Sequence, residues 1–443
     1  MPAVVGRAAA MSSTPQTPLE PPTLVVLLTP PGQSALATLL VEGPRALAVV
    51  ADVVQTASGR ALASFVPDRL AFGRFRLHRD RDVPAEEVVV RPRGGESVEI
   101  HCHGGQAVVD MLRRTLVDRG CLPVAWAQWC AGKSDDAIAA EAMIALAEAK
   151  TERTALILLD QYSGAMRAAM QSIAECARRG DWHAAARQCQ VLQGRVRLGS
   201  RLVRPWDVAL AGPPNAGKSS LINAMVGYRR AIVDPQAGTT RDVVTAATAV
   251  QGWPVELADT AGLCDPAHPL ERAGVDRARR RLAGADLVVL VFDASAAMSA
   301  DEALLRAEFP QALVVLNKCD LPEAAGAGRT CAVRTSALSG EGVAELWEAI
   351  ADRLVGDVPP PGGAAPFTPR QTACLAALAA AIAATDATAV QRAVAAMLAL
   401  PAMVIKRDIN LPASIPTRCQ ASTQRIGDES SVGRERRWFD PAW

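Results

Sequence analysis

Between an apolar run, Val208 to Ala211, and a helix-forming stretch, Ser220 to Val226, the chain carries Gly212-Pro213-Pro214-Asn215-Ala216-Gly217-Lys218-Ser219. A glycine-flanked loop ending in Lys-Ser and joining a strand to a helix can curl so that backbone N–H groups and the helix N-terminus face an anion. Such a segment opens a strand-loop-helix unit, and the rest of the region must alternate in the same way. It does: Val255 to Ala258, Leu287 to Phe292 and Ala312 to Leu316 are short aliphatic runs separated by helical or loop sequence. That alternation predicts a mostly parallel sheet. Within the loop, Lys218 is expected to reach the β and γ phosphates of a nucleotide and Ser219 to ligate Mg²⁺. Asn215, Ala216, Gly217 and Ser220 are the other expected contacts of the loop and the first helical turn.

Further motifs follow in chain order. Gly238-Thr239-Thr240-Arg241-Asp242 supplies hydroxyls for Mg²⁺ and the γ phosphate, and Asp259-Thr260-Ala261-Gly262 places a carboxylate near the metal and a glycine amide near that phosphate. Asn317-Lys318-Cys319-Asp320 follows an aliphatic run. The Asp320 carboxylate can accept the N1 and exocyclic amine protons of guanine, a pattern adenine cannot donate, so it specifies GTP over ATP. Lys318 can cover the ring, and Thr335-Ser336-Ala337 can turn the amides of Ser336 and Ala337 toward the guanine carbonyl. Leu263 stands where a glutamine would orient the attacking water in the Ras manner. Glu271 is the nearby carboxylate able to hold that water, directly or through a second one; the other reading is that it begins a solvated helix face with Arg272.

Composition narrows the remainder. Lys plus Arg number 47 against 46 Asp plus Glu in 443 residues, so there is no global basic field, and any RNA contact has to be local. The hydrophobic share is 50%, with only 8 Trp, 2 Tyr and 7 Phe, which suits aliphatic strands and Ala-rich helices rather than disorder. No stretch approaches the ~18 apolar residues of a membrane-spanning helix. The ten cysteines are scattered without a CxxC pair, which points to reduced thiols in a cytoplasmic protein. In Ser97 to His103, read as a strand, His101 and His103 face one side and Cys102 the other, with no third ligand for a metal.

Along the chain, residues 1–22 read as a loose leader, with Met11 as an alternative start, and 23–125 as a β-containing N-terminal domain. Residues 126–205 read as helical, with two or three long helices over 136–200. Residues 206–356 form the α/β unit, 357–368 a Pro/Gly linker, 369–400 a second helical part and 401–443 an irregular tail.

These motifs resemble the tRNA-modifying GTPase family MnmE, also called TrmE, of the TrmE-Era-like group. The resemblance rests on Gly212 to Leu221, Ala231-Ile232-Val233, Ala237 to Asp242, Asp259 to Leu263, Leu270-Glu271-Arg272-Ala273-Gly274, Asn317 to Asp320 and Thr335 to Ala337. Thr29-Pro30-Pro31-Gly32 and Val98 to Gly105 are similar to the family's N-terminal domain. It implies a multidomain α/β protein: an N-terminal α+β folate-type domain that forms a homodimer, a split helical domain, and an inserted Ras-like P-loop G domain. It further implies K⁺-stimulated GTP hydrolysis, with G domains pairing across their nucleotide faces and K⁺ replacing an arginine finger. The matching positions are Asn215 and Thr239 for K⁺, Ser219 and Thr240 for Mg²⁺, and Glu271 as the water-orienting glutamate. Glu99 and Lys133 match positions for 5-formyltetrahydrofolate. The activity implied is tRNA wobble-uridine modification together with a flavoprotein of the MnmG type.

Several positions depart from the family pattern. Leu40 stands where the family has a folate-contacting arginine, Cys264 where it usually has a basic residue, and the chain ends in Phe439-Asp440-Pro441-Ala442-Trp443 rather than a Cys-Ile-Gly-Lys type motif, Cys419 being the only cysteine of the tail. These departures suit a second reading, a paralogue that keeps the GTP cycle but not the folate and modification chemistry and acts as a regulatory or ribosome-related switch.

Overall fold

Alternation of apolar and polar residues sets the first sheet. The computed structural model describes residues 21–30, 32, 34–76, 85–94, 96–134, 136–228, 245–259, 279–324 and 329–399. Strands β1 (Leu24–Leu27), β2 (Leu36–Glu42), β3 (Val54–Thr56), β4 (Ala71–Phe75), β5 (Glu86–Pro92), β6 (Ser97–His103) and β7 (Leu122–Val124) form a seven-stranded sheet in the order β3-β4-β5-β6-β2-β1-β7. Every pairing is antiparallel except β1 with β7. Leu39, Val41, Val88, Val90, Val98, Ile100 and Cys102 line one face and pack with the buried residues of α1 (Ala46–Val53) and α2 (Gln106–Asp118). The period of two places His101 and His103 on the opposite face. There His101 Nδ1 lies 2.9 Å from Thr38 Oγ1, and His103 pairs with Glu86.

The helical segment divides more finely than its composition suggests. In place of two or three long helices over 136–200 there are α4 (Ala137–Glu148), α5 (Glu152–Tyr162), α6 (Ala165–Arg178), α7 (Trp182–Gly194) and the single turn α8 (Val196–Gly199), preceded by α3 (Trp126–Gly132). Short polar side chains cut the run. Asp136 accepts from Ile138 N and Ala139 N, Thr151 from Thr154 N, and Asp181 from Ala184 N, each satisfying first-turn amides.

The second sheet contains β8 (Trp206–Ala211), β9 (Thr245–Val250), β10 (Trp253–Asp259), β11 (Leu287–Asp293), β12 (Leu313–Asn317) and β13 (Val333–Thr335), ordered β13-β12-β11-β8-β10-β9. It is parallel except for the β9–β10 hairpin. The hairpin turn, Gln251 and Gly252, has φ of 47° and 81°, the backbone of a tight primed turn. This turn is held by the helical segment: Thr151 Oγ1 donates to Gly252 O (2.6 Å) and Arg153 to Gln251 O (2.8 Å), with the Arg153 guanidinium 4.8 Å from the Trp253 ring centre. Helices α9 (Lys218–Tyr228), α10 (Ala300–Glu308) and α11 (Val343–Leu354) accompany the sheet.

The helical pattern of 369–400 resolves into α12 (Pro369–Ala383) and α13 (Ala387–Leu398), separated at Thr385, whose φ is 51°, and restarted by the Asp386 cap on Ala389 N. These helices share one apolar core with α4 to α7 and with the second sheet, running from Ile138 through Trp206 and Trp347 to Met397. The Pro/Gly stretch is a packed strap. Gln161, 1% exposed, donates to Gly363 O (3.0 Å) and accepts from Ala365 N (3.1 Å), while Arg195 bonds Asp357 (2.9 Å) and Ala364 O (3.0 Å).

Across the insertion, Glu141 of α4 accepts two bonds from Arg370 (2.6 and 2.9 Å) and one from Gln371 (2.7 Å) of α12. Arg370 also donates to Ala396 O and Met397 O at the end of α13, both at 3.0 Å. Glu141→Ala leaves these donors short of partners in a half-buried site, so we expect a loss of about 2 kcal/mol. Thermal melting of the purified protein measures it; an unchanged melting point contradicts the role assigned to this pair.

Candidate nucleotide-binding site

The loop after β8 obtains its curl from two glycines and an asparagine. Gly212 has φ 151°, and a Cβ there would stand 2.1 Å from Val291 O; Gly217 has φ 88°, and a Cβ would stand 2.3 Å from Asn317 Nδ2. Asn215, exposed, has φ 61°, a left-handed conformation that asparagine tolerates better than most residues. Lys218 is folded back inside the loop, with Nζ donating to Gly212 O (3.0 Å) and Pro213 O (2.9 Å). Ser219 and Ser220 are exposed on the first turn of α9, and Ala216 is buried beneath the loop.

Ser219 Oγ donates to Asp259 Oδ2, joining the loop to the carboxyl end of β10. Asp259 Oδ1 is buried without a hydrogen-bond partner among the described residues. A buried carboxylate oxygen left open beside a hydroxyl is a donor set suited to a hard divalent cation, so these residues fit Mg²⁺.

The base end is organised by Asn317, 1% exposed. Its Nδ2 donates to Ala216 O (3.0 Å), and its Oδ1 accepts from Ala337 N (3.1 Å) and Thr335 Oγ1 (3.2 Å). Asn317 therefore ties the phosphate loop to the loop after β13. Ser336 is fully buried, its N–H donating to Glu341 O (2.9 Å) and its Oγ accepting from Ser339 N (3.1 Å), so in this structure the Ser336 and Ala337 amides both donate to protein rather than turning toward a guanine carbonyl as the motif predicts. Asp320 is exposed at the mouth. Lys318, with φ 66°, sends Nζ to Asp293 Oδ2 (2.6 Å). Burial alone would raise the Asp293 pKa, but hydrogen bonds from Lys318 and Ser295 outweigh it and hold the carboxyl below its usual range. Burial, then Glu341 and Asp320, push the Cys319 thiol up, away from the thiolate.

Asp293 was not among the residues expected from the motifs. It ends β11 in register with Asn317 of β12, and ligand-facing residues of a parallel sheet gather at the carboxyl ends of its strands. Thr239, Thr240, Gly262, Cys264 and Glu271 lie outside the described residues.

Glu99, on β6, and Lys133, just after α3, are engaged with other charged groups. Glu99 lies within 3.4 Å of Arg91, 3.3 Å of Arg93 and 3.6 Å of His101, and Lys133 Nζ lies 2.8 Å from Glu42 Oε1. Leu40, fully buried, sits directly opposite Glu99 in the β2–β6 register.

Residues 207–318 match the family model described as 50S ribosome-binding GTPase. The tRNA modification GTPase MnmE of Prochlorococcus marinus (strain MIT 9303) is 33% identical over 366 residues, covering 72% of this chain and 78% of that one. The MnmE of Thermus thermophilus is 32% identical over 390 residues, covering 80% of this chain and 86% of its own length. The chain belongs to the MnmE family. It is a divergent member and, as a member, a GTP-hydrolysing enzyme with a P-loop GTPase domain. A solved structure of Aquifex aeolicus Era matches 40% of this chain and 66% of that one at 27% identity, with a TM-score of 0.29. Among the described residues no helix is long and apolar enough to cross a membrane.

If Asn317 is the bridge of this MnmE-family site, Asn317→Ala leaves Ala216 O and Ala337 N unpaired and loosens both loops together. We expect GDP affinity to fall by at least about tenfold. Titration with a fluorescent GDP analogue reads this directly.

Proposed function

We propose that this chain is a K⁺-stimulated GTPase whose cycle drives tRNA wobble-uridine modification together with a flavoprotein of the MnmG type. The observation that carries the catalytic half is the Ser219–Asp259 pair, with the open, buried Asp259 Oδ1, at the foot of a loop whose Lys218 is already turned inward. Membership of the MnmE family supports the tRNA half. The near-zero net charge requires RNA contact to be local or shared with the partner.

On this reading Asn215, Ala216, Gly217, Lys218, Ser219 and Ser220 wrap the phosphates with backbone amides and the Lys218 charge. Asp320 accepts the guanine N–H groups, Ser336 and Ala337 border the base, and Lys318 lies across the ring. Mg²⁺, when bound at Ser219 and Thr240 with Asp259 beside it, supplies charge neutralisation to the β and γ phosphates. Thr239 and Gly262 face the γ phosphate, and Asn215 and Thr239 are the positions for K⁺. Glu271 orients the attacking water in place of the glutamine that Leu263 replaces. The division proposed is an N-terminal folate-type domain over 23–125 forming a homodimer, a helical domain over 126–205 and 369–400, and a G domain over 206–356, in a cytoplasmic protein.

A second reading, a family member that has lost the folate and modification chemistry and serves as a regulatory or ribosome-related switch, is favoured by one observation. Leu40, where the family has a folate-contacting arginine, is aliphatic and fully buried opposite Glu99. Calorimetry with 5-formyltetrahydrofolate separates the two, since binding through Glu99 and Lys133 supports the first and no heat supports the second.

Two measurements test the catalytic assignment. Glu271→Ala should leave GTP binding intact and lower K⁺-stimulated turnover by about two orders of magnitude or more; undiminished turnover removes Glu271 from the mechanism. Wild-type turnover should be faster in KCl than in NaCl at equal ionic strength, and equal rates would sink the K⁺ role.

A further inference from the structure

Asp293 is the last residue of β11, beside Asn317 across the β11–β12 register. Both its carboxylate oxygens are spent. Oδ1 accepts from Ser295 N (2.8 Å) and Ser295 Oγ (2.6 Å), which fixes the carboxylate plane; Oδ2 accepts from Lys318 Nζ (2.6 Å). The backbone is fixed as well, with Ala294 N donating to Asn317 O (2.8 Å) and Arg329 to Asp293 O (2.8 Å). The carboxylate is therefore a rigid anchor at the carboxyl edge of the sheet.

What it anchors is the residue expected to cover the guanine ring. Lys318 has left-handed backbone, which for a residue with a Cβ costs on the order of 1 kcal/mol and has to be compensated by surrounding contacts. Its Cε lies 3.9 Å from where a Gly217 Cβ would stand, so its methylene stem runs beside the phosphate loop. A free lysine side chain carries up to about 2 kcal/mol of rotamer entropy that base binding would have to remove. With Nζ tied to Asp293, that ordering is complete before the nucleotide arrives, and the ammonium charge is neutralised while the stem stays available as an apolar platform.

We infer that Asp293 is a positioning residue for guanine-nucleotide affinity, acting through Lys318 rather than by touching the nucleotide. The inference rests on the reading of Lys318 as a base contact. Burial alone would raise the Asp293 pKa; its depression by the Lys318 and Ser295 hydrogen bonds agrees with a carboxylate kept ionised for this pairing.

A double-mutant cycle on the full chain tests it, using a fluorescent GDP analogue for affinity and dissociation rate and GTP turnover for the split between KM and kcat. Asp293→Asn should weaken GDP binding about tenfold, chiefly through faster dissociation, and raise KM for GTP more than it lowers kcat. Asp293→Glu, which keeps the charge, should recover part of the loss. Lys318→Ala should weaken binding by a similar factor, and adding Asp293→Asn to it should cost nothing further. Ser295→Ala controls for the local turn, and melting curves check that each variant is folded.

The outcomes separate cleanly. If Lys318→Ala weakens binding while Asp293→Asn binds like wild type, the inference is overturned and the site reading stands. If the two losses add, Asp293 acts through the turn and not through Lys318, which also overturns it. If Lys318→Ala itself has no effect, the reading of Lys318 as a base contact fails and the inference falls with it.

Discussion

The structure depends on one closure condition: the chain leaves the helical bundle at α8, builds an entire α/β unit, and has to return to the same bundle at α12. A single continuous apolar core meets that condition, passing from Ile138 and Met170 through Trp206 and Trp347 to Leu378 and Met397. Burial is non-directional, so this core supplies cohesion but leaves the geometry of return open. Direction comes from polar side chains. Gln161 clamps the strap at Gly363 and Ala365, and Glu141 receives Arg370 and Gln371 from the returning helix.

The same division of labour recurs at the nucleotide site. Apolar strands β8, β11 and β12 set the platform, and their carboxyl ends deliver Gly212, Asp293 and Asn317 to one edge. Asn317 then cross-links the loops at Ala216 and Ala337, while Asp293 and Asp259 hold Lys318 and Ser219. These bonds are short-range and directional, so they act only because the sheet register has already brought their partners within reach. The β9–β10 hairpin, gripped by Thr151 and Arg153, physically joins the strand that ends in Asp259 to the helical segment.

Much of this is legible in the residues alone, and the reasons are local. The predicted strand Ser97 to His103 is β6 as found, because period-two patterning and the Gly104-Gly105 stop are properties of neighbouring residues. The loop Gly212 to Ser219 is equally readable, since the left-handed positions at Asn215 and Gly217 demand particular residue types. The helical segment is less so: aliphatic periodicity runs on through 136–200, and the breaks fall at the Thr151 and Asp181 caps and at the left-handed glycines Gly164 and Gly180. The stretch over 357–368 looks like a spacer because Pro and Gly dominate it, yet Ala364, Ala365 and Phe367 are buried against the bundle.

The order of strands in the second sheet's half of the chain and the curl of the phosphate loop are written in short runs, where residue type dictates backbone conformation. The folded chain alone shows that Asn317 spends its amide on protein, that Asp293 holds Lys318, and that Leu40 lies opposite Glu99 in the sheet. Each of those is a meeting of side chains from different strands, and strand register is set by the whole pattern of burial rather than by any run of neighbouring residues.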